Sequence, residues 1–216
     1  MRKQLAVFDM DGTILDTLED LSVSLNFALT QCGYPVRTYE ECRCFVGNGI
    51  RKLLERAAPA GTDSAAIDRL HAAFTAHYRI HCNDHTRPYP GITDALRTLR
   101  AAGWQTAVVS NKPDYGVQEL CKQHFDGLFD AATGERAGMA KKPAPDLVDL
   151  VLRRLGLPRS AAVYIGDSEV DIATARNAGL DAVIVEWGFR DRAFLRAQGA
   201  EVMAQSAEEL LRLLLG

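Results

Sequence analysis

Two aspartates stand two residues apart near the start of the chain, in Asp9-Met10-Asp11-Gly12-Thr13. They follow a short apolar run, Leu5-Ala6-Val7-Phe8, that reads as a strand covered on both faces. Groups beyond the carboxyl end of a strand lie where open α/β sheets bind their ligands. A spacing of two puts both carboxylates on the same side, and Gly12 lets the backbone turn tightly after them. Crowded carboxylates repel unless a cation or a proton intervenes. An all-oxygen donor set suits Mg²⁺, which takes one or two carboxylates together with substrate phosphate oxygens. Taken alone, the segment reads equally well as an N-cap pair followed by a turn.

Three further segments offer complementary chemistry. Val108-Val109 runs into Ser110-Asn111-Lys112, and Ile165 runs into Gly166-Asp167-Ser168-Glu169-Val170-Asp171. Between them lies a basic loop, Lys141-Lys142-Pro143-Ala144-Pro145-Asp146, whose prolines start a helix. Three strand ends and one loop thus supply carboxylates, a hydroxyl, backbone N–H groups and an ammonium on one side of a sheet. Surface decoration would scatter such groups rather than gather them where ligands bind.

The elements that must position these residues alternate regularly. Thr106-Ala107-Val108-Val109, Ala162-Val163-Tyr164-Ile165 and Ala182-Val183-Ile184-Val185 repeat the continuous apolar pattern of the first strand. Helical periodicity separates them near 91–102, 113–124, 144–156 and 169–178, with Gly103, Gly156 and Gly179 where C-caps belong. This is the pattern of an α/β fold, a doubly wound Rossmann-like parallel sheet. Residues 16–87 differ: helical periodicity at 17–31, 49–57 and 64–81, and no convincing strand between. Pro88-Tyr89-Pro90-Gly91 is a turn cluster that closes this stretch. The expected organisation is a core of residues 1–15 and 88–216 with a helical domain, 16–87, inserted after the first strand.

Asp9-Met10-Asp11-Gly12-Thr13, Ser110-Asn111, Lys142-Pro143 and Gly166-Asp167 through Asp171 resemble, in order and spacing, the four motifs of the haloacid dehalogenase superfamily. Most of its members are Mg²⁺-dependent phosphatases, and its true dehalogenases lack the second aspartate of the first motif, present here as Asp11. The resemblance implies Asp9 as nucleophile and Asp11 as the acid and base. It implies Mg²⁺ held by the Asp9 carboxylate, the Asp11 carbonyl and Asp167, with Asp171 behind them orienting the metal shell or Lys142. Ser110, the Asn111 amide and Lys142 would hold the phosphoryl oxygens. Lys142 rather than Lys141 is chosen because the family's lysine directly precedes the proline. Lys141 is expected to be a solvated charge, and Lys112 a lesser contact, more exposed than buried.

The inserted helices correspond to the superfamily's mobile cap, with hinges after Asp16 and at Arg87-Pro88-Tyr89-Pro90-Gly91. Phe45-Val46-Gly47-Asn48-Gly49-Ile50 opens a cap helix. Its Gly47, Asn48 and Gly49 would present N–H groups to an anion, or form a plain turn and N-cap. The segment resembles the cap loop of the phosphoglycolate phosphatase subgroup, as do Pro88-Tyr89-Pro90-Gly91 and Trp187-Gly188-Phe189-Arg190. There the anion would be the substrate carboxylate, with Arg51 and Arg43 close enough to assist. His77, His81 and His85 would share a helical face if the helix persisted, but Asn83-Asp84 and Pro88 suggest that it frays. A packing or surface role is expected for them rather than zinc.

Composition bounds the rest. The chain has 216 residues, 47% hydrophobic and 25% charged, as globular chains do, with a formal net charge of −3. That balance argues against nucleic-acid or anionic-membrane partners. Five cysteines at irregular spacing argue against a disulfide framework and for the cytoplasm. Leu5–Phe8 is too short for a signal-peptide core, and no apolar run reaches membrane-spanning length. The expected partner is a small phosphate ester, 2-phosphoglycolate first, acted on by a monomer or homodimer. Pyrophosphate, nucleotides and sugar phosphates stand as alternative substrates. A sugar phosphomutase and a non-catalytic phospho-ligand binder stand as alternative functions.

Overall fold

A computed structural model describes residues 3–216. In chain order the strands are β1 (Leu5–Phe8), β2 (Leu15–Asp16), β3 (Arg87–Pro88), β4 (Gln105–Pro113), β5 (Ala131–Glu135), β6 (Ala162–Gly166), β7 (Asp181–Val185) and β8 (Met203–Ala204). The helices are α1 (Leu18–Gln31), α2 (Tyr39–Phe45), α3 (Ile50–Ala57), α4 (Ser64–His81), α5 (Ile92–Ala101), α6 (Asp114–Phe125), α7 (Asp146–Leu155), α8 (Glu169–Ala178), α9 (Arg192–Ala197) and α10 (Ala207–Leu215). The chain divides into two compact units, one ending at Leu15 and resuming at Pro88, the other Asp16–Arg87. Among the described residues no helix is long and apolar enough to cross a membrane.

The first unit is an α/β sandwich around a six-stranded parallel sheet of order β5-β4-β1-β6-β7-β8. Its two faces bury different helices because alternate strand residues point opposite ways. Ala6, Phe8, Val108, Val163 and Ile165 pack with Leu96 and Leu99 of α5, Leu120 of α6 and Leu210 of α10. Leu5, Val7, Val109, Ala162 and Tyr164 pack with Leu147 and Val151 of α7 and Ala175 of α8. With both faces covered, every position of β1 and β6 is buried, which is why these strands are continuous apolar runs.

β1 sits where the sheet's winding reverses, between β4 and β6, and such a reversal opens a crevice at the strand ends. The register fixes what meets there. Phe8 pairs with Val108 on one side and Ile165 on the other, so Asp9, Ser110 and Asp167 come within a residue of the same level at this end of the sheet. β4 does not end at Val109 as its sequence suggested. It continues to Pro113 with a shift of register after Val109, carrying Ser110-Asn111-Lys112 inside the strand. The sequence also gave no warning of β5, an edge strand of small residues (Ala-Ala-Thr-Gly-Glu), or of the two-residue β8.

The second unit is helical. α1 packs on α4, α2 on α1 and α3, and α3 on α4. Leu21, Leu25 and Ala28 of α1, and Ile67, Leu70, Phe74 and Tyr78 of α4, are buried at helical spacing. α2, unanticipated from periodicity, is short and buries only Cys42. Its start is set by a capping box between Thr38 and Glu41. α4 ends at His81, so the three histidines share no face: the His77 and His81 rings stack at 4.3 Å, while His85 Nδ1 lies 3.0 Å from Asp20 Oδ1.

Candidate active site

The turn after β1 is built for close approach. Gly12 has φ 84°, a left-handed backbone, and a Cβ there would lie 2.4 Å from Asp167 Oδ2. Asp9 is anchored by its own N–H to Ile165 O at 2.8 Å, and its Oδ1 accepts from Met10 N at 2.6 Å and from Lys142 Nζ at 2.8 Å. Asp9, Asp167 and Asp171 are all buried, with one carboxylate oxygen of each lying within 4.8 Å of the others.

Lys142 is the cation at the centre of this group. Its Nζ touches Asp9 Oδ1, Asp171 Oδ1 at 2.9 Å and the Tyr164 hydroxyl at 3.1 Å. The loop that carries it is tied to β4 by Asn111, whose Nδ2 donates to Lys142 O at 3.1 Å. Ser110 is buried, and its Oγ accepts from Lys112 N at 3.3 Å. Lys141, by contrast, is partly exposed and lies 3.4 Å from Glu135.

Lys112 departs from expectation. It is buried, not exposed, and its Nζ lies 2.9 Å from Asp11 Oδ1. Because β4 continues through it, its stem runs over Gly116, close enough that an added methyl group would be in van der Waals contact with it at 3.4 Å. The two aspartates of the first turn therefore face different lysines.

Asp167 and Asp171 are held differently. Asp171 is saturated: Oδ2 accepts from Asp167 N, Ser168 N and Ser168 Oγ, and Oδ1 from Lys142 and Tyr164. Burial opposes its charge, but Lys142 and these donors outweigh burial and hold its pKa below the ordinary value. Asp167 has fewer donors. Thr13 Oγ1 reaches its Oδ1 at 3.2 Å and Phe189 N its Oδ2 at 2.8 Å. Burial first, then the charges of Asp171 and Asp9, push its pKa well above the carboxylate range. Burial likewise raises Asp9 to about 7, against the pull of Lys142. Burial alone would lower Lys142, yet Asp171 and Asp9 outweigh it and raise its pKa.

Four carboxylates thus share two ammonium groups in a largely buried crevice. Two like charges at this separation repel by about 3–4 kcal/mol at an effective dielectric near 20. The donors are oxygen only and the charge is in deficit, so a hard divalent cation fits, with Asp9 and Asp167 the carboxylates not already saturated.

The contacts of several contributors were not readable from the sequence, although Thr13, Gly188 and Phe189 lie in segments that carry the family resemblance. Tyr164 reads as one more member of an apolar strand, yet its hydroxyl reaches the lysine. Thr13 and the Phe189 N–H act through contacts 154 and 22 residues distant. Gly188 stands so close to the site that a Cβ would lie 2.3 Å from Asp167 Cβ and 2.5 Å from Gly12 O. In the helical unit, Gly47 and Gly49 have φ 126° and 84°, and Gly49 caps α3. Arg51 is taken up by Asp68, Ser64 and Glu55, and Arg43 by Glu40. It is Arg56 that reaches the loop, bonding Asn48 Oδ1 at 2.7 Å and Phe45 O at 2.8 Å.

Comparison with known proteins decides the family. A model of the haloacid dehalogenase-like hydrolases matches residues 6–185. The chain belongs to the haloacid dehalogenase-like hydrolase family. A phosphoglycolate phosphatase of Mesorhizobium japonicum is 36% identical to this hydrolase over 198 residues, 89% of this chain and 86% of its own. One of Aliivibrio fischeri is 30% identical, over 98% of this chain and 96% of its own. A crystal structure described as a candidate phosphoglycolate phosphatase, from Lactobacillus delbrueckii subsp. bulgaricus, is 40% identical, has a TM-score of 0.95 and covers 100% of both chains. Family and relatives together make this hydrolase a phosphatase.

Proposed function

We propose that the protein hydrolyses a small phosphate monoester, 2-phosphoglycolate, through an aspartyl-phosphate intermediate and with Mg²⁺. The observation that carries the mechanism is the buried meeting of Asp9, Asp167 and Asp171 around Lys142. The substrate is suggested by the names of the relatives.

In this reading Asp9 attacks phosphorus as the ester P–O bond breaks, and Asp11 gives a proton to the departing alkoxide. Asp11 then takes a proton from water, whose oxygen forms the new bond to phosphorus as the bond to Asp9 breaks. Lys142, the Ser110 hydroxyl and the Asn111 amide hold the phosphoryl oxygens, where transition-state charge accumulates. Lys112 fixes the resting position of the Asp11 carboxylate. Mg²⁺, when held by Asp9, the Asp11 carbonyl and Asp167, supplies positive charge to those same oxygens. Asp171 orients Lys142.

Residues 16–87 act as the cap of this reading. Gly47, Asn48 and Gly49 would receive the substrate carboxylate, with Arg51 assigned there by sequence and Arg56 holding Asn48 in place.

The test is phosphate release from 2-phosphoglycolate, pyrophosphate, sugar phosphates and nucleoside monophosphates, with Mg²⁺ and with chelator. Preference for 2-phosphoglycolate, lost in chelator, is expected. Asp11→Asn should lower turnover by roughly 10²–10⁴-fold, and Asp9→Asn should abolish it. Full turnover by both variants would overturn the mechanism, and preference for another phosphate would overturn the substrate.

A further inference from the structure

Lys142 has three N–H bonds to give, and three acceptors surround it: Asp9, Asp171 and the hydroxyl of Tyr164. Two of these are charged and belong to the reading above. The third is neutral and has been given no part. Tyr164 lies in the middle of β6, on the face that packs α7 and α8, and is fully buried. Its hydroxyl accepts from Lys142 at 3.1 Å. Its single O–H faces Asp171 Oδ1 at 3.2 Å and, further off, Val109 O at 3.4 Å, and donates to one of them at a time.

A buried hydroxyl in a dry core is costly unless bonded, so this one specifies where its partners sit. Val109 immediately precedes Ser110, so one hydroxyl lies among β6, β4, the lysine of the loop and the aspartate of α8. Were Tyr164 apolar, Lys142 would keep two anionic partners with an N–H left unpaired. Two contacts would then hold Nζ where three do now, and the one directed from β6 would be gone.

We propose that Tyr164 is a positioning residue for phosphoryl transfer: its hydroxyl sets the position of Lys142 Nζ between Asp9 and Asp171, from below the crevice. The inference rests on the reading of Lys142 as a ligand of the phosphoryl group.

The test is Tyr164→Phe, which keeps the ring and its packing and removes only the oxygen. Its kcat, KM and thermal midpoint are measured alongside Lys142→Arg and the double variant. Lys142→Arg must itself lose turnover; if it does not, the reading of Lys142 fails and the role of Tyr164 falls with it. Given that loss, Tyr164→Phe is expected to lower kcat by about tenfold, as befits one hydrogen bond to a charged group, with KM changed far less. In the Lys142→Arg background the same change should cost little more, because the group it positions is gone. Wild-type kcat in Tyr164→Phe with only a lowered midpoint would mean a structural role and overturn the proposal. An equal loss in both backgrounds would overturn it as well.

Discussion

Individual side chains here are governed by how much charge each must keep out of water. Asp20, buried in the helical unit, is satisfied by the N–H groups of His85 and Thr86, the Thr86 hydroxyl and the His85 ring. That ring bond raises the His85 pKa, against some loss of hydration, with Glu19 adding to it. The raised value means that protonated His85 stabilises the fold below the ordinary value of 6.5, and that this is lost as pH rises through the higher folded value. Thermal midpoints of wild type and His85→Gln should therefore differ more at pH 5.5 than at pH 8. The cysteines divide by the same physics. Burial pushes the Cys121 thiol up to about 12, whereas Cys44 is exposed. Alkylation followed by mass spectrometry should modify Cys44 first and leave Cys121 unmodified until the protein unfolds.

At the scale of elements, short segments whose sequences carry little periodicity owe their form to specific bonds. α2 begins where the Thr38 hydroxyl accepts from Glu41 N and Glu41 bonds back to Thr38 N. Thr38→Ala should cost about 1 kcal/mol in urea denaturation. The segment after β7 is fixed by the turns that follow β1 and β6: Trp187 Nε1 donates to Thr13 O at 3.0 Å and Phe189 N to Asp167. Gly188 lies between them with no room for a side chain against Asp167 Cβ, an atom that cannot swing away. Gly188→Ala should therefore displace Asp167 and raise the Mg²⁺ concentration needed for half-maximal turnover, as titration would show. In sequence this glycine was visible only through the likeness of Trp187-Gly188-Phe189-Arg190 to a subgroup, since no local pattern says that a residue 21 positions after Asp167 touches it.

For the whole molecule, the buried carboxylates link stability to pH and to divalent cations. Asp167 is neutral in both states below its ordinary value of 3.8. Above that pH the unfolded chain ionises while the folded one holds its proton, so Asp167 destabilises the fold increasingly until its raised folded value is passed. In chelator, Asp167→Asn should be more stable than wild type, by a margin larger at pH 8 than at pH 5. Mg²⁺ should stabilise the wild type by mass action, by roughly 2.7 kcal/mol at a hundredfold excess over its dissociation constant, and so raise its thermal midpoint. The variant should lose that response. A wild-type midpoint indifferent to Mg²⁺ would argue against the metal assignment.

The sequence by itself determined the elements with a long or uniform pattern. β1, β6 and β7 were readable because a sheet covered on both faces demands unbroken apolar runs, and α4 because eighteen residues repeat at helical spacing. It also marked Asp9, Asp11, Ser110 and Asp167, since charged and hydroxyl side chains close behind apolar strands have few structural reasons to be there, whereas Lys142 was separated from Lys141 only by the family resemblance. Tertiary structure alone decided the partners. Lys112 looked like a surface lysine until the continued β4 and the bare backbone of Gly116 buried it against Asp11. Tyr164 looked like core until the lysine loop and α8 brought Lys142 and Asp171 to its hydroxyl. Local sequence encodes the preference of a residue for water or for a backbone conformation. Which charge a buried group finally meets is set by register and crossover, which join residues a hundred positions apart.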